Sequence, residues 1–263
     1  RPVPGWSSLL AREGVAQTPS PFADPALAAR SSLDDPLPVS WNGAAGHAFL
    51  TASPPELCPA GRTFDLDALL YTAATARERL SISVMHFTPL EWPRHAPRSA
   101  AIWWHRLQDA LLRAYLRGVQ VRLLVSRWPH SHPSMLALTS ALQQTARAIG
   151  AAERESSASS DKREMQQGSL QVRAFTMPGW DETTGPERRY PGHSRVNHAK
   201  YMVSERRVNV GTSNMGWHDF YLNAGISLNS DHPGLVHDLQ ALFDRDWRSA
   251  YAIPVEALQE SSM

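Results

Sequence analysis

At 263 residues, 42% of them apolar, the chain is long enough to bury a full core, as one large domain or two small ones. Twenty-six basic against 25 acidic side chains leave a formal net charge of +1, so no global field draws polyanions and any anion attraction must be local. The composition excludes disorder and collagen, no apolar run approaches the roughly 18–20 residues of a membrane-spanning helix, and the single cysteine, Cys58, excludes an internal disulfide or a cysteine-built zinc site. Cys58 is expected as a buried thiol. The sequence opens on Arg1, and RPVPGWSS lacks the apolar stretch of a signal peptide, so a processed or truncated chain is expected.

Residues 1–46, rich in proline, serine and alanine, read as a linker, mostly loop. HAFLTAS (47–53) has strand character, and PPELCPAGRT after it is full of breakers. Leu66, Leu69, Leu70 and Ala73 recur at helical spacing. Residues 80–87 alternate and form a strand, 99–117 an amphipathic helix ended by Gly118, and 119–126 an apolar run fit for a buried parallel strand. A helix is expected over 133–150, from proline to glycine, then a polar serine-rich loop over 153–169 and a strand over 170–177. The stretch 178–195 is a long loop, of the kind that often carries function. HAKYMVS and RVNVGTS are two short strands around Glu205 and Arg206, GISLNS (225–230) another, 233–251 a closing amphipathic helix, and 252–263 a tail. Strand–helix alternation of this kind predicts an α/β fold, a mixed or parallel sheet with helices on both faces.

The stretch VNHAKYMVSERRVNVGTSN (196–214) carries the chemistry. Residues two apart on a strand face the same way, so His198 and Lys200 project together. A turn centred on Glu205 and Arg206 places residue 198 opposite 213 and brings Asn214 beside His198. A base, a fixed cation and an amide donor on one face suit phosphoryl transfer: one group attacks or carries a proton while the others hold the non-bridging oxygens. The lysine disfavours imidazolium and so keeps His198 nucleophilic. No metal and no cofactor are required.

The joint pattern H-x-K-x4-E followed by G-T-x-N, made by His198, Lys200, Glu205, Gly211, Thr212 and Asn214, resembles the H-K-D signature of the phospholipase D superfamily, with glutamate where aspartate is usual. Further segments, TASPPELCPAGRTFDLDALL, SISVMHF, GVQVRLLVSRWPHSHPSM and FDRDWRSAY, resemble the carboxyl-terminal half of one branch, the lysosomal single-strand 5′-exonucleases called phospholipases D three and four. The resemblance covers about residues 40–251 and implies an α/β/α sandwich, one H-K-D half. It also implies a phosphodiesterase that works through a phosphohistidine on single-stranded nucleic acid or, with the same site, on phospholipid. Localisation in the lysosome or endoplasmic reticulum lumen follows from it too, with no anchor or signal in this chain. In that family two such motifs meet at one site, yet among the eleven histidines only His198 has a lysine two residues on. The partner is then a second H-K-D half, from the same parent or a second copy; otherwise the chain is an inactive binding relative. By resemblance His198, Lys200 and Asn214 form the catalytic set, Glu205 supports it, and Thr212 is a lesser contact.

Other residues divide between function and packing. His86 ends a strand aimed at the site. Arg195, with Arg188, Arg189, Arg206 and Arg207, either steers a polyanion or is solvated charge. Trp217 and Phe220 either stack bases or fill the core. Trp103 and Trp104 fit packing; His130 and His132 have a metal-like spacing but no third ligand nearby; Asp244 and Asp246 are expected in solvent.

Overall fold

The computed structural model describes residues 31–92, 101–157, 168–178 and 195–260. Residues 179–194 of the loop expected over 178–195, with Arg188 and Arg189, and most of the loop expected over 153–169 lie outside them.

The centre of the fold is three parallel strands, β4 (Arg79–Val84), β7 (Gln120–Arg127) and β8 (Ser169–Thr176), numbered with the outer strands in chain order. Parallel neighbours need crossovers, and two helices supply them: α2 (Arg106–Leu116) links β4 to β7 and α3 (Pro133–Ser157) links β7 to β8. The apolar β4 and β7 are buried on both faces, as such strands must be. On one side β9 (Lys200–Ser204), β10 (Val208–Val210), β11 (Gly225–Ser230), β2 (Ala44–Ser53) and β1 (Leu37–Trp41) extend the sheet antiparallel. On the other β12 (Ala252–Pro254) closes it, and β3 (Thr63–Phe64) pairs with β2. A separate ribbon joins β5 (Leu90–Glu91) to β6 (Ile102–Trp103).

The helices α1 (Asp65–Thr75), α2 and α3 cover one face of the sheet. There Leu66, Leu69, Leu111 and Leu142 pack with Ile82, Leu123, Val125 and Met202. The other face is covered by α5 (Pro233–Arg248), whose Val236, Phe243 and Trp247 meet Leu124, Tyr201 and Val203. Two short helices, α4 (Trp217–Tyr221) and α6 (Val255–Glu260), complete the described chain. The architecture is an α/β/α sandwich whose sheet is mixed, as the resemblance implies, with helices on both faces, as the strand–helix alternation predicts.

Several boundaries differ from the expected ones. The sheet starts at Leu37, inside the stretch that reads as linker, because Asn42-Gly43 makes a two-residue hairpin with positive φ at both positions. Helix α2 begins at Arg106 rather than 99, since Ile102 and Trp103 pair with β5 first. Helix α3 runs through Gly150 to Ser157, where Ala151, Ala152, Glu153 and Arg154 offset the glycine's cost. Residues 252–260 are no tail: β12 joins β8, and Val255 is fully buried. Asp244, expected in solvent, is half-buried and pairs with Arg122 at 2.8 Å, while Asp246 pairs with Arg245 at 2.7 Å. Trp104 packs on Phe220 and Tyr221, and Trp103 is exposed. Cys58 is half-buried, its thiol donating to the Ala52 carbonyl; burial pushes its pKa up to about 11.

Candidate active site

The hairpin of β9 and β10 sets the site. Its register pairs Val203 with Val208 and Tyr201 with Val210, which extrapolates to His198 opposite Ser213, as a turn centred on Glu205 and Arg206 requires. The turn lacks asparagine or glycine, and Ser204 compensates: its hydroxyl accepts the N–H groups of Arg206 and Arg207 at 3.2 and 3.1 Å.

His198 stands just before β9, exposed, on backbone pinned by its neighbours. The Asn197 carboxamide donates to Ser83 Oγ at 3.3 Å and accepts the Ala199 N–H at 3.1 Å, while the Ser126 hydroxyl donates to the Asn197 carbonyl. Ala199 packs toward the α5 side, which leaves His198 and Lys200 on the opposite face. Lys200 is buried, 9% exposed, and its ammonium donates to the His198 carbonyl at 3.3 Å. Burial lowers its pKa, and the Asp219 carboxylate pulls the other way. Partial burial, then the Lys200 charge, hold His198 below the ordinary imidazole value, so it is neutral over more of the acid range.

Asn214 reaches the same place by a crossing. After β10 the chain leaves the hairpin, and Met215 bridges to Phe87: its N–H donates to the His86 carbonyl at 2.9 Å and its carbonyl accepts the Thr88 N–H at 3.3 Å. This seats Asn214 beside the end of β4. Its carboxamide donates to Asp219 Oδ1 at 3.4 Å, and its Oδ1 is buried without a protein partner. His86 is half-buried here; burial lowers its pKa, with Asp219 raising it and His132 lowering it further. The motif glycine has a steric reason, since a side chain on Gly211 would collide with the Ser227 hydroxyl of β11.

The remaining candidates lie elsewhere. Thr212 turns away: its hydroxyl accepts the Ile226 N–H at 3.2 Å and borders a cavity of about 510 Å³ with Leu50 and Ile226. Trp217 is 3% exposed and packs on Tyr221, so it is core and no stacking surface; Phe220 is fully buried. Arg195 is exposed, with one guanidinium N–H on the Pro178 carbonyl. His132 stacks on Trp92 and bonds Ser134, and His130 packs on Trp128; neither belongs to a metal-ligating group of three among the described residues.

Glu205, expected to support the site, stands apart from it. It sits a strand length from Lys200, roughly 16 Å at about 3.3 Å per residue, and its carboxylate accepts the backbone N–H groups of Arg77, Glu78 and Arg79 at 3.0, 3.3 and 3.3 Å. It clamps the start of β4. Burial pushes its pKa up, but these N–H groups and its own outweigh that and hold it below the carboxylate norm. The clamp is therefore present above the unfolded pKa and lost as pH falls through the folded one. We expect Glu205→Ala to cost about 1–2 kcal/mol, because solvent partly replaces the lost bonds. That lowers Tm by about 2–8 °C in thermal melts near neutral pH, with the difference shrinking in acid. In an assembly competent for the activity proposed below, Glu205→Asp should retain substantial activity; a loss as large as that of His198→Ala would give Glu205 a part in the chemistry.

Sequence reasoning passes over two groups. Asp219, on α4, accepts from Asn214 and, at 3.3 Å, from the Asn223 carboxamide. Glu91, on β5, lies against Gly216, where any side chain would strike its Oε1. Burial, then Asp219, push the Glu91 pKa up to about 7. The available signal is a lone acid within the apolar MGWHDFY that follows the motif asparagine.

A histidine and buried lysine at the end of a central strand of this mixed sheet, with an asparagine crossing to join them, define a phospholipase D-like unit. Residues 6–157 match the PLD3/4, PLD-like domain model, more than half of the chain, and the chain belongs to that family. It is 39% identical over 236 residues to the 5′-3′ exonuclease PLD3 of Homo sapiens, covering 88% of this chain and 43% of the relative. It is 36% identical over 231 residues to the 5′-3′ exonuclease PLD4 of Mus musculus, covering 84% and 41%. The chain thus spans about two-fifths of the length of these relatives. Among solved structures, Nuc from Salmonella typhimurium, described as a phospholipase D family member, shares the fold with a TM-score of 0.50 at 13% identity, over 80% of this chain and 97% of that one. No helix among the described residues is long and apolar enough to cross a membrane.

Proposed function

We propose that this chain is one catalytic half of a phosphodiesterase, in which His198 is one of two reacting histidines and Lys200 and Asn214 hold the phosphate oxygens. The single observation that carries the reading is the convergence of an exposed, neutral-leaning imidazole, a buried ammonium and an oriented carboxamide at the end of β9. One histidine attacks phosphorus and forms a phosphohistidine while the alkoxide leaves with a proton from the other; the second histidine then takes a proton from water, which attacks phosphorus and frees the first. The second histidine comes from another H-K-D half, in the missing part of a longer parent or in a second copy.

Nucleic acid cleaved from the 5′ end is the substrate class favoured by two relatives named 5′-3′ exonucleases, and a single strand is our reading of it. Trp92, 40% exposed and stacked on His132, offers a base platform in place of the buried Trp217. A phospholipid substrate is the second reading, because a Caenorhabditis elegans relative 34% identical over 215 residues is named a probable phospholipase D. A lysosomal setting fits the exonuclease reading. The test is release of mononucleotides from a 5′-ended single-stranded oligonucleotide, beside headgroup release from phosphatidylcholine vesicles, at mildly acidic pH with and without EDTA. Nucleotide release resistant to EDTA supports the proposal; headgroup release alone selects the phospholipid; abolition by EDTA overturns the metal-independent mechanism.

The surface also carries an apolar row, on the sheet face opposite His198 and Lys200, that a partner chain would cover. Val210, Leu228 and Leu50 stand in one row across β10, β11 and β2, at 44, 41 and 40% exposure, with Ile226 at 61%. An in-register apolar row of this kind, on the sheet face left open beyond α5, marks an interface. We expect the isolated chain to be dimeric or poorly soluble, and Leu228→Lys to render it monomeric in light scattering. A wild-type chain that stays monomeric and active contradicts the need for a second half.

A further inference from the structure

We propose that Asp219 and Glu91 are a positioning pair for the phosphate site: Asp219 orients Asn214 and balances Lys200, and the proton on Glu91 decides whether a second negative charge stands beside them, so that the site works in acid and is throttled toward neutrality. The inference rests on the phosphodiesterase reading and adds to it the regulation of the same site.

The first observation is orientation. Asp219 Oδ1 accepts one Asn214 amide N–H at 3.4 Å and is braced by Asn223 at 3.3 Å, from a helix fixed by the fully buried Phe220 and the buried Trp217. A carboxamide with one N–H on a carboxylate presents its other N–H in a set direction. Its oxygen is buried without a protein partner, a cost that native structures keep where a group is held for another purpose. Asp219 is also the carboxylate whose charge reaches Lys200, His86 and Glu91 at once.

The second observation is the seat of Glu91. Gly216 lies two residues after Asn214, and its missing side chain leaves the space that Glu91 Oε1 fills. The elements packed on β5 bring few charges to it. From α4 come Asp219 and the exposed His218, from the preceding segment His86, and from β6 only Ile102 and Trp103. Among the described residues no cation is placed on Glu91, so burial and the Asp219 charge favour its neutral form until about pH 7. With Glu91 neutral, Asp219 and Lys200 cancel and a phosphodiester anion meets no net repulsion. With Glu91 ionised the site gains a negative charge that opposes the anion and favours imidazolium. Glu91 acts through the field and through Asp219, without touching the reacting atoms.

The test uses an assembly that contains a second H-K-D half, in a longer parent or in a second copy. For Glu91→Gln, the ratio of kcat/KM at about pH 8 to that at about pH 5 should rise about tenfold over wild type, since wild type is one unit past the midpoint. For Asp219→Asn, kcat should fall by about 10–100-fold, and the alkaline limb should move to lower pH because Glu91 loses the charge that resists its ionisation. A merely structural role would lower activity at every pH and leave that limb in place. An unmoved limb in either variant overturns the proposal. Infrared difference spectra of the wild type alone, about pH 6 minus about pH 8, should show a protonated-carboxyl band, assigned to Glu91 by its loss in Glu91→Gln where that variant folds. Its absence in wild type overturns the proposal even where a variant fails to fold. Full activity in His198→Ala defeats the phosphodiesterase reading itself, whereas an inactive His198→Ala beside an unmoved Glu91→Gln limb defeats only this inference.

Discussion

In an assembly that contains a second H-K-D half, His198→Ala should lower turnover by at least about 10³-fold, the scale of removing one member of a catalytic set. The loss should fall on kcat more than on KM, because Lys200 and Asn214, which hold the phosphate, remain. The imidazole is well placed for the role: it is exposed at the head of β9, its backbone is fixed by Asn197 between β4 and β7, and partial burial and Lys200 keep it from protonating early. EDTA should change the wild-type rate little, because the proposed oxygen contacts are an ammonium and an amide. The measurement is nucleotide release from a single-stranded oligonucleotide in mild acid. Undiminished release by His198→Ala sinks the mechanism, and release by neither protein in any assembly hands the case to a non-catalytic binding relative.

How far the sequence discloses this molecule depends on the range of the force that decides each feature. The β9–β10 hairpin is legible because alternation and turn position are local: a turn over Glu205 and Arg206 fixes His198 opposite Ser213 without knowledge of the rest. The parallel centre is legible for the same reason, as apolar runs separated by amphipathic helices. The start of the sheet is missed although Asn42-Gly43 is a strong local signal, since composition outweighs it in a stretch rich in proline and serine. The site's outer members are another matter. Asp219 and Glu91 lie 128 residues apart, and their meeting depends on a two-strand ribbon, a five-residue helix and a glycine that makes room. Nothing in local pattern reports it. Trp217 shows the opposite error, where proximity in sequence to the motif suggests contact with substrate and packing sends the ring into the core. Glu205 belongs to the motif by spacing, yet its carboxylate works at the opposite end of the strand.

Lys200→Met should be the second large effect, a loss of about 10²–10³-fold in kcat, comparable to removing one preorganised donor from a developing oxyanion. The ammonium is buried and close to the His198 backbone, so its field acts in a poorly screened place. Two consequences separate this from damage to the fold. The Lys200 charge is one of the two causes that lower the His198 pKa, after burial, so its removal moves the His198 limb of the pH–rate profile to higher pH. Methionine matches the lysine stem in length, and removing a buried charge whose desolvation is unfavourable should leave Tm unchanged or raise it. Lys200→Arg should not restore the rate, because a planar guanidinium presents its donors in a fork where the site is shaped for a point charge. Kinetics across pH, read beside thermal melts, decide the matter. Lost activity with a higher Tm and an upward-shifted limb assigns Lys200 to the phosphate. Lost activity with a lower Tm and an unmoved limb makes it a structural cation, and the burden of neutralising the phosphate then falls on Asn214 and the second H-K-D half.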